Sequence, residues 1–281
     1  MRASAQRARQ SHPLPSLLSR RMQLADGSTT TLHVASFPLD RVAVRVARLS
    51  ESEPEPLVRW CRRSGVEHAI VGGFFVRPGN APLGELRIAG APAEHVAFDA
   101  PWGARRACVH VGPTGLAIAR RPELGQQPRG DLLQAGPLLV RAGASVITGD
   151  DAEGFSAGAH QFDSDISEGR HPRCALALTG AQLLAVACDG RHADDAGLTL
   201  GELADALVGL GARAALNLDG GGSASLVCDG ALVNRPREQH GIELLEGRPI
   251  ATALVIDPAP RHARQRAARR SPGAVTIVIR L

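Results

Sequence analysis

The apolar segments of this chain are short and are separated by glycine and proline, and this spacing constrains the fold more than any other feature. The 281 residues include 31 Gly and 19 Pro. Runs such as 107–111 and 138–141 have the length of strands rather than of helices. Strands and helices do not alternate regularly, as a doubly wound parallel sheet requires. The sequence therefore predicts a single α+β domain, with a strand-rich core of mixed or antiparallel sheet and few helices.

Strand positions follow from side-chain alternation and from turn residues. Residues 41–48 alternate apolar and polar side chains, which is typical of a strand with one buried face. The apolar run 69–76 contains Gly72 and Gly73, which indicate a bend or a close approach of two backbones. Further strands are predicted at 107–111, 138–141, 144–148, 175–178, 181–188, 214–218, 225–228, 231–233 and 250–256.

One helix is predicted from the signals at its two ends. Thr199 and Glu202 form the Thr-x-x-Glu pattern of a capping box, an apolar periodic run follows, and Gly211 ends it. Residues 50–64 are predicted to form a loop or a short helix. The segment 149–172 is polar and is predicted to be a long exposed loop.

The positive charge of the chain lies at its two ends. The formal net charge is +4, yet residues 1–21 hold five of the 32 arginines and residues 258–281 hold six, without any acidic residue. The remaining 21 arginines stand against all 28 acidic residues, so the middle is net negative. We interpret 1–21 as an Arg-rich disordered segment, 22–257 as the folded domain and 258–281 as an Arg-rich tail. Nucleic acid is not an expected partner, because a domain that binds it carries a basic stripe on its folded body.

Composition also bears on membranes, on location and on thiols. No stretch approaches the roughly 18 uninterrupted apolar residues of a membrane-spanning helix, so no membrane span is expected. The N-terminal arginines are not followed by the apolar segment of a standard secretory signal. A cytoplasmic location is therefore the expectation, with another export route left open.

Five cysteines without CxxC spacing are expected to be buried and reduced: Cys61, Cys108, Cys174, Cys188 and Cys228.

The densest motif is Asn-Leu-Asp-Gly-Gly-Gly-Ser, placed between two predicted strands. Its glycines, Gly220, Gly221 and Gly222, precede Ser223, and successive glycine N–H groups suit an anion-binding concavity. Asn217 and Asp219 alternate onto one side of the outgoing strand, which adds an amide and a carboxylate. A tight turn without function is the open alternative. A nucleotide P-loop is excluded because the chain has no Lys.

Arginines lie at both ends of a predicted hairpin. His171-Pro-Arg173 begins it and Asp189-Gly-Arg191 ends it, so both arginines are expected at its open end. The guanidinium group grips phosphate with two parallel hydrogen bonds. Arg235, in Asn234-Arg-Pro, follows the next hairpin. Solvated arginines at strand ends are the open alternative.

Three carboxylates are available for acid–base chemistry. Cleavage of a glycosidic bond uses two such groups, and the candidates are Asp189, Glu202 and Asp219. The sequence does not choose the pair, because Glu202 is equally explained as a helix cap. A divalent cation held by Asp189 and Asp219 stays open, although no ligand spacing of a known metal site occurs.

A second catalytic motif competes with these groups. Gly-Phe-Ser-Ala-Gly at 154–158 matches the GxSxG pattern of serine hydrolases, with Ser156 as the nucleophile. That nucleophile needs a strand before it and a helix after it, whereas the flanking segments here are polar. A chance match in a glycine-rich chain is the favoured interpretation.

The order of the motifs resembles the phosphodiester glycosidase family over roughly residues 40–257, so that 22–257 is interpreted as a phosphodiester glycosidase-like domain. Weaker similarities lie at 72–75 and 134–137. The most specific segments are His171-Pro-Arg173, Asp189-Gly-Arg191, Gly197–Leu203, Ala215–Ser223 and Val233–Pro236. Two residues depart from the usual pattern. Val71 replaces an Asn, which is expected to remove a polar group from the pocket, and Cys174 replaces a Thr.

The resemblance implies cleavage of a sugar-1-phosphodiester at the anomeric carbon–oxygen bond, which releases a free sugar and a phosphomonoester. No cofactor is required. Asp219 and Glu202 are then the catalytic carboxylates, with Asp189 as a third member. The implied substrate- and phosphate-binding set is Arg173, Arg191, Asn217, Gly220, Gly221, Gly222, Ser223, Asn234, Arg235 and Gly73. The alternatives are a non-catalytic module that binds glycan phosphates, and a serine hydrolase that uses Ser156.

Overall fold

A computed structural model describes residues 15–49, 54–77, 79–149, 153–155, 161, 167 and 169–259. Within these ranges the chain forms 19 strands and two α-helices, α1 (Leu57–Ser64) and α2 (Leu200–Gly209). The strands before residue 100 are β1 (Ser16–Gln23), β2 (Thr29–Pro38), β3 (Val42–Arg48), β4 (Ala69–Val71), β5 (Phe75–Val76), β6 (Ala81–Pro82), β7 (Leu86–Ile88) and β8 (Ala91–Pro92). Those after it are β9 (Ala107–Gly112), β10 (Gly115–Arg120), β11 (Asp131–Gln134), β12 (Leu138–Arg141), β13 (Ala144–Ser145), β14 (Arg173–Leu178), β15 (Gln182–Cys188), β16 (Ala214–Asn217), β17 (Leu226–Cys228), β18 (Ala231–Leu232) and β19 (Thr252–Pro258).

The strands form three sheets and one small hairpin. A seven-stranded sheet has the order β1-β2-β15-β14-β16-β12-β13. Two five-stranded sheets have the orders β10-β9-β11-β7-β8 and β18-β17-β4-β19-β3, and β5 pairs with β6. All the strand pairs described here are antiparallel. The predicted strand-rich α+β domain with few helices is confirmed.

The seven-stranded sheet is buried on both faces at its centre. On β14, Cys174, Leu176 and Leu178 face the large core between the sheets, while Ala175 and Ala177 face α2. This alternation follows from the two-residue period of a strand. Because the side chains toward α2 are small alanines, the helix packs close to the strand. Burial on both faces is also why β14 reads as an unbroken apolar run.

Helix α2 begins at the predicted capping box. The Thr199 hydroxyl accepts a hydrogen bond from the Glu202 backbone N–H at 3.1 Å, and the Glu202 carboxylate accepts one from the Thr199 N–H at 2.9 Å. The helix buries Leu200, Leu203 and Leu207 against the sheet.

Two predicted boundaries and one predicted loop require correction. Residues 16–21 are not disordered: they belong to β1, whose side chains are mostly exposed but whose backbone pairs with β2 over eight residues. Pro258 ends β19 rather than beginning a tail. In the predicted exposed loop, Glu153 and Phe155 are buried. Residues 1–14 and 260–281 lie outside the described part of the chain.

Other predictions agree with the structure. The five cysteines are buried and free of disulfides. Gly72 approaches β19 so closely that a Cβ atom would lie 2.9 Å from the backbone carbon of Thr252. Among the described residues, no helix is both long enough and apolar enough to cross a membrane.

Candidate active site

The ends of three neighbouring strands meet at one edge of the seven-stranded sheet. Ala175 of β14 pairs with Asn217 of β16, and Arg173 of β14 pairs with Cys188 of β15. Extending the first register by two residues sets Arg173 opposite Asp219. The start of β14 and the ends of β15 and β16 therefore converge.

A cleft of about 770 Å³ opens at this edge. One side is formed by the residues that begin β14 and follow β15 and β16. Another comes from the segment 238–248, and a third from β5 and its neighbours. The lining consists of Phe74, Phe75, Val76, Arg77, Val96, Gln161, His171, Pro172, Arg173, Arg191, Asn217, Leu218, Asp219, Gly220, Gly221, Glu238, Gln239, His240, Ile242 and Arg248.

Asp219 is the carboxylate held most firmly in the cleft. Its backbone N–H donates to the Gly72 carbonyl at 3.0 Å, and its Oδ1 accepts from the Gly220 N–H at 2.8 Å. Burial raises the pKa of Asp219 to about 6, against the opposing effects of Ser223, Gly220 and nearby arginines. A carboxylate with such a pKa changes charge close to neutral pH, which suits acid–base or nucleophilic chemistry.

Arg191 lies beside Asp219's loop and keeps most of its donors available. Its Nη1 donates to the Arg237 carbonyl at 3.1 Å, and within the described residues its side chain makes no other hydrogen bond. Burial lowers the pKa of Arg191, the negative charge of Glu238 opposes this shift, and the like charge of Arg248 adds to it. A guanidinium with spare N–H donors in a cleft is a binding site for an anion.

Arg173 also lines the cleft, but two of its donors hold the backbone. Its Nε donates to the Leu198 carbonyl at 2.7 Å and its Nη2 to the Gly169 carbonyl at 3.2 Å. The side chain is buried. Arg173 therefore connects the loops before β14 and α2 to each other and adds positive charge under the cleft.

Asn217 lines the cleft, and its side chain is held by the backbone. Its Nδ2 donates to the Gly136 and Leu218 carbonyls, each at 2.9 Å. The side chain is only 2% exposed, and its Oδ1 has no hydrogen-bond partner among the described residues. Asn217 and Asp219 thus line one cleft, as their alternation predicts.

The sequence of the chain matches a known family at this point. The sequence model of the phosphodiester glycosidase family covers residues 64–257, which include the whole cleft. The chain belongs to the phosphodiester glycosidase family. The resemblance read from the motif order is therefore confirmed.

Solved structures share the fold of this family member. The zebrafish N-acetylglucosamine-1-phosphodiester alpha-N-acetylglucosaminidase catalytic domain, auto-inhibited by its pro-peptide, is 20% identical, with a TM-score of 0.68 over 91% of this chain and 87% of that one. A hypothetical protein from Synechocystis is 19% identical, with a TM-score of 0.58 over 86% and 62%. A putative exported protein from Burkholderia pseudomallei is 16% identical, with a TM-score of 0.59 over 83% and 75%. No curated protein sequence matches significantly.

The triple-glycine loop does not work as predicted. The Gly221 N–H donates to the Pro172 carbonyl, the Ser223 N–H donates to the Gly220 carbonyl, and the Gly220 N–H already binds Asp219. These three groups are therefore not free for a phosphate. Gly220 and Gly221 line the cleft, whereas Gly222 and Ser223 do not. The glycines are needed for close packing instead, since a Cβ on Gly220 would lie 2.7 Å from the Pro172 oxygen.

Gly221 tests this packing role. Its φ is +60°, and a Cβ there would lie 3.0 Å from Nη1 of Arg191. We expect Gly221→Ala to strain the backbone by about 1 kcal/mol and to displace the guanidinium, lowering kcat/KM about tenfold. Gly201→Ala is the matched control, because the nearest atom would be 3.9 Å away and helical Ala is favourable. Enzyme kinetics and thermal unfolding of both variants check the prediction, and equal kinetics would contradict it.

Glu202 lies outside the cleft that holds Asp219. Its carboxylate caps α2 and accepts from Arg170 Nε at 3.0 Å, and it does not line the cleft. Hydrogen bonding from Arg170 lowers the pKa of Glu202, the opposite of what a catalytic acid needs. The contacts therefore support the helix-cap interpretation of the Thr-x-x-Glu pattern.

Removing the Glu202 side chain should affect stability and not catalysis. We expect Glu202→Ala to lower the free energy of unfolding by about 1 kcal/mol through loss of the cap. Because the folded-state pKa is depressed, this contribution is present at neutral pH and is lost as the pH falls through that pKa. Denaturant unfolding at neutral and acidic pH, with kinetics on the folded fraction, tests both parts. A large loss of kcat would return Glu202 to the mechanism.

Asp189 also lies outside the cleft lining. Its Oδ1 accepts from the Arg235 N–H at 2.7 Å and its Oδ2 contacts His33 Nε2 at 3.1 Å. The carboxylate therefore joins the turn that carries Arg191 to the segment after β18. Its pairing with Asp219 at one metal ion receives no support, and the described residues contain no group of three or more metal-ligating His, Cys, Asp or Glu side chains.

Three further residues predicted to bind the substrate lie outside the cleft lining. Both polar atoms of Asn234 are taken by the backbone, Oδ1 by the Leu226 N–H and Nδ2 by the Ala224 carbonyl, each at 2.8 Å. Arg235 is exposed and Gly73 is buried, and neither lines the cleft. These positions indicate that the three residues support the structure around the cleft.

The sequence motifs do not predict the side of the cleft that the segment 238–248 forms. Glu238 and Arg248 pair through Oε1 and Nε at 2.9 Å, and they pack against Gly222, where a Cβ would lie 2.7 Å from Glu238 Oε1. Glu238 is thus a second carboxylate in the lining. The charged, Pro- and Gly-containing stretch 236–249 is the only sequence signal for it.

Three sequence features remain: Val71, Cys174 and the GxSxG motif. Val71 is fully buried in β4 and does not line the cleft, so the expected loss of a polar pocket group is wrong for the cleft as described. Cys174 is buried in the core under the sheet. Ser156 of the GxSxG motif lies outside the described residues.

Proposed function

We propose that this family member hydrolyses a sugar-1-phosphodiester and releases free sugar and a phosphomonoester. Family membership supports the reaction class. The observation that carries the proposal is the half-buried Arg191, whose donors are largely uncommitted, in the same cleft as Asp219 with its pKa near 6. Arg173 adds positive charge to that cleft, and Arg248 lines it as an ion pair with Glu238.

In the proposed reaction the bond between the anomeric carbon and the phosphate oxygen breaks. Its electron pair leaves with the phosphate, and Arg191 and Arg248 stabilise the resulting charge. One water is consumed: its oxygen forms the new bond to the anomeric carbon. Asp219 acts in its ionised form, either by bonding to that carbon first or by taking the proton of the attacking water. The phosphate is a good leaving group, so little general-acid help is needed.

Glu238 replaces Glu202 as the candidate second carboxylate. Its ion pair with Arg248 holds that guanidinium in the lining. We therefore assign Glu238 to positioning Arg248, and Asp219 to the reacting carbon.

The test is incubation of the purified chain with a panel of methyl phosphodiesters of sugar-α-1-phosphates, followed by analysis of free sugar and methyl phosphate. Release of both supports the proposal. Binding without product over a long incubation would instead support a non-catalytic module. Loss of product on chelation would introduce a metal ion, and labelling of Ser156 by a fluorophosphonate would support the serine hydrolase.

A further inference from the structure

Exposed apolar side chains line two of the three sides of the cleft. Val96 is 39% exposed and belongs to the side formed by β5 and its neighbours, while Ile242 is 61% exposed and belongs to the segment 238–248. They are two of the five large apolar side chains that are exposed among the described residues. Apolar surface left open inside a cleft commonly marks the place where an apolar part of a ligand binds.

The side of the cleft around Val96 is built on paired backbone. Phe75 and Val76 form β5, which pairs with β6. The Val96 N–H donates to the carbonyl of Pro82 in β6 at 2.8 Å, so Val96 is tied to the same hairpin. Phe75, Val76 and Val96 all line the cleft. Because hydrogen bonds hold their backbones, this apolar surface is formed before any ligand binds.

The segment that exposes Ile242 is fixed against the candidate phosphate site. The Ile242 carbonyl accepts a hydrogen bond from the Glu238 N–H at 2.9 Å, and Glu238 forms the ion pair with Arg248. The preceding residue, Gly241, lies so close to the turn of Arg191 that a Cβ atom would be 2.7 Å from the Arg191 carbonyl oxygen. An exposed apolar side chain therefore belongs to the segment that packs on the arginine assigned to the phosphate.

The chemistry of a sugar-1-phosphodiester distinguishes the three sides. Its phosphate carries two ester arms, the sugar and an alcohol. The anomeric carbon of the sugar must reach Asp219, which lies on the side formed by the strand ends. The alcohol is the arm that stays on the phosphate, so the sides that carry Val96 and Ile242 are left for it. A hydroxyl-rich alcohol would lose hydration there without gaining hydrogen bonds from these side chains, whereas an apolar alcohol gains from burial.

We propose that the cleft contains a subsite for an apolar alcohol, formed by Phe75, Val76, Val96 and Ile242. This inference rests on the proposed hydrolysis and names its substrate class, the glycosyl-1-phosphodiesters of aliphatic alcohols. Water replaces the phosphate at the anomeric carbon. The products are the free sugar and an alkyl phosphate, which keeps the oxygen and the electron pair of the broken bond.

The experiment compares the methyl, butyl, hexyl and glyceryl diesters of one α-sugar 1-phosphate, the sugar being the one hydrolysed best in the methyl panel. For the wild type, kcat/KM is expected to rise about ten- to fiftyfold from methyl to hexyl, because a fully buried methylene contributes roughly threefold and the cleft is partly open. The gain should lie mainly in KM, since the alcohol is remote from the reacting carbon. The glyceryl diester should stay near the methyl diester. Equal values for methyl, hexyl and glyceryl, or a preference for glyceryl, would overturn the inference.

Two substitutions locate the subsite. Ile242→Ser and Val96→Ser are each expected to reduce the gain from methyl to hexyl at least about threefold. Both side chains are exposed, so both variants are expected to fold, and thermal unfolding checks this. Leu18→Ser is the matched control, because Leu18 is 51% exposed on β1 and lies outside the cleft lining. It should keep the full gain, and the same gain in all three variants would overturn the subsite.

Binding of the expected products separates failure of the subsite from failure of the hydrolysis. Methyl phosphate and hexyl phosphate are titrated calorimetrically against the wild type and against Ile242→Ser. Tighter binding of hexyl phosphate that is lost in Ile242→Ser, without turnover of any diester, would uphold the subsite and refute the hydrolysis. Turnover of all diesters with equal kcat/KM, and equal binding of both phosphates, would refute the subsite alone. Absence of both turnover and binding would overturn both.

Discussion

Asp219→Asn is expected to lower kcat/KM for a sugar-1-phosphodiester at least about a thousandfold while the fold is retained. Asn keeps the size of the side chain and its acceptor oxygen for the Gly220 N–H, but cannot carry negative charge. Asp229→Asn is the matched control, because Asp229 occupies a turn with φ of +50°, a conformation that Asn tolerates well. Steady-state kinetics with circular dichroism of both variants tests this, and turnover by Asp219→Asn near the wild-type rate would remove Asp219 from the mechanism.

The same carboxylate predicts two pH dependences. Its pKa of about 6 should appear as an acidic limb in the profile of kcat/KM, with activity lost as the pH falls and Asp219 becomes protonated. Ionisation of Asp219 is required for activity but lowers the stability of the fold. The folded pKa lies above the unfolded value of 3.8, so ionisation destabilises the wild type as the pH rises between these values. Asp219→Asn should therefore be about 1–3 kcal/mol more stable at pH 7.5, with no gain below pH 4.

Arg191→Met is expected to lower kcat/KM about a hundredfold or more, because it removes the cation whose donors remain available to the departing phosphate. Met preserves much of the apolar stem and removes only the guanidinium, which is the part that lies against Gly221. Inorganic phosphate should inhibit the wild type competitively and the variant far more weakly. Arg235→Met removes an exposed guanidinium outside the cleft and serves as the control. Equal losses in both variants would point to net charge rather than to a phosphate site.

The sequence predicts the strands that carry part of the site, and their pairing in the structure brings its residues together. Arg173 and Asp219 come together because β14 and β16 are antiparallel neighbours, and both strands can be recognised from their apolar runs. The sequence alone does not establish the role of Glu202, since one Thr-x-x-Glu pattern fits a helix cap and a catalytic acid equally well. Only the contact with Arg170 and the absence from the cleft distinguish them.

Features set by irregular segments escape prediction. Glu238 and Arg248 lie in a stretch without strand or helix periodicity, so their meeting depends on tertiary packing against Gly222. Glu153 belongs to a polar segment, yet its two carboxylate oxygens accept the backbone N–H groups of Leu138 and Ala107, each at 2.8 Å. A carboxylate that replaces missing sheet hydrogen bonds looks, in sequence, like any loop residue.

The backbone around Asp219 is held by hydrogen bonds to segments of two different sheets. Its own N–H is bound by Gly72, which follows β4 in one sheet, while the N–H groups of Leu218 and Gly221 are bound by Cys174 and Pro172 at the start of β14 in another. An intermediate that had assembled one layer alone would lack at least one of these three hydrogen bonds. Catalytic competence should accordingly arise late in folding, only after the layers have docked, and no isolated fragment of the chain would inherit it.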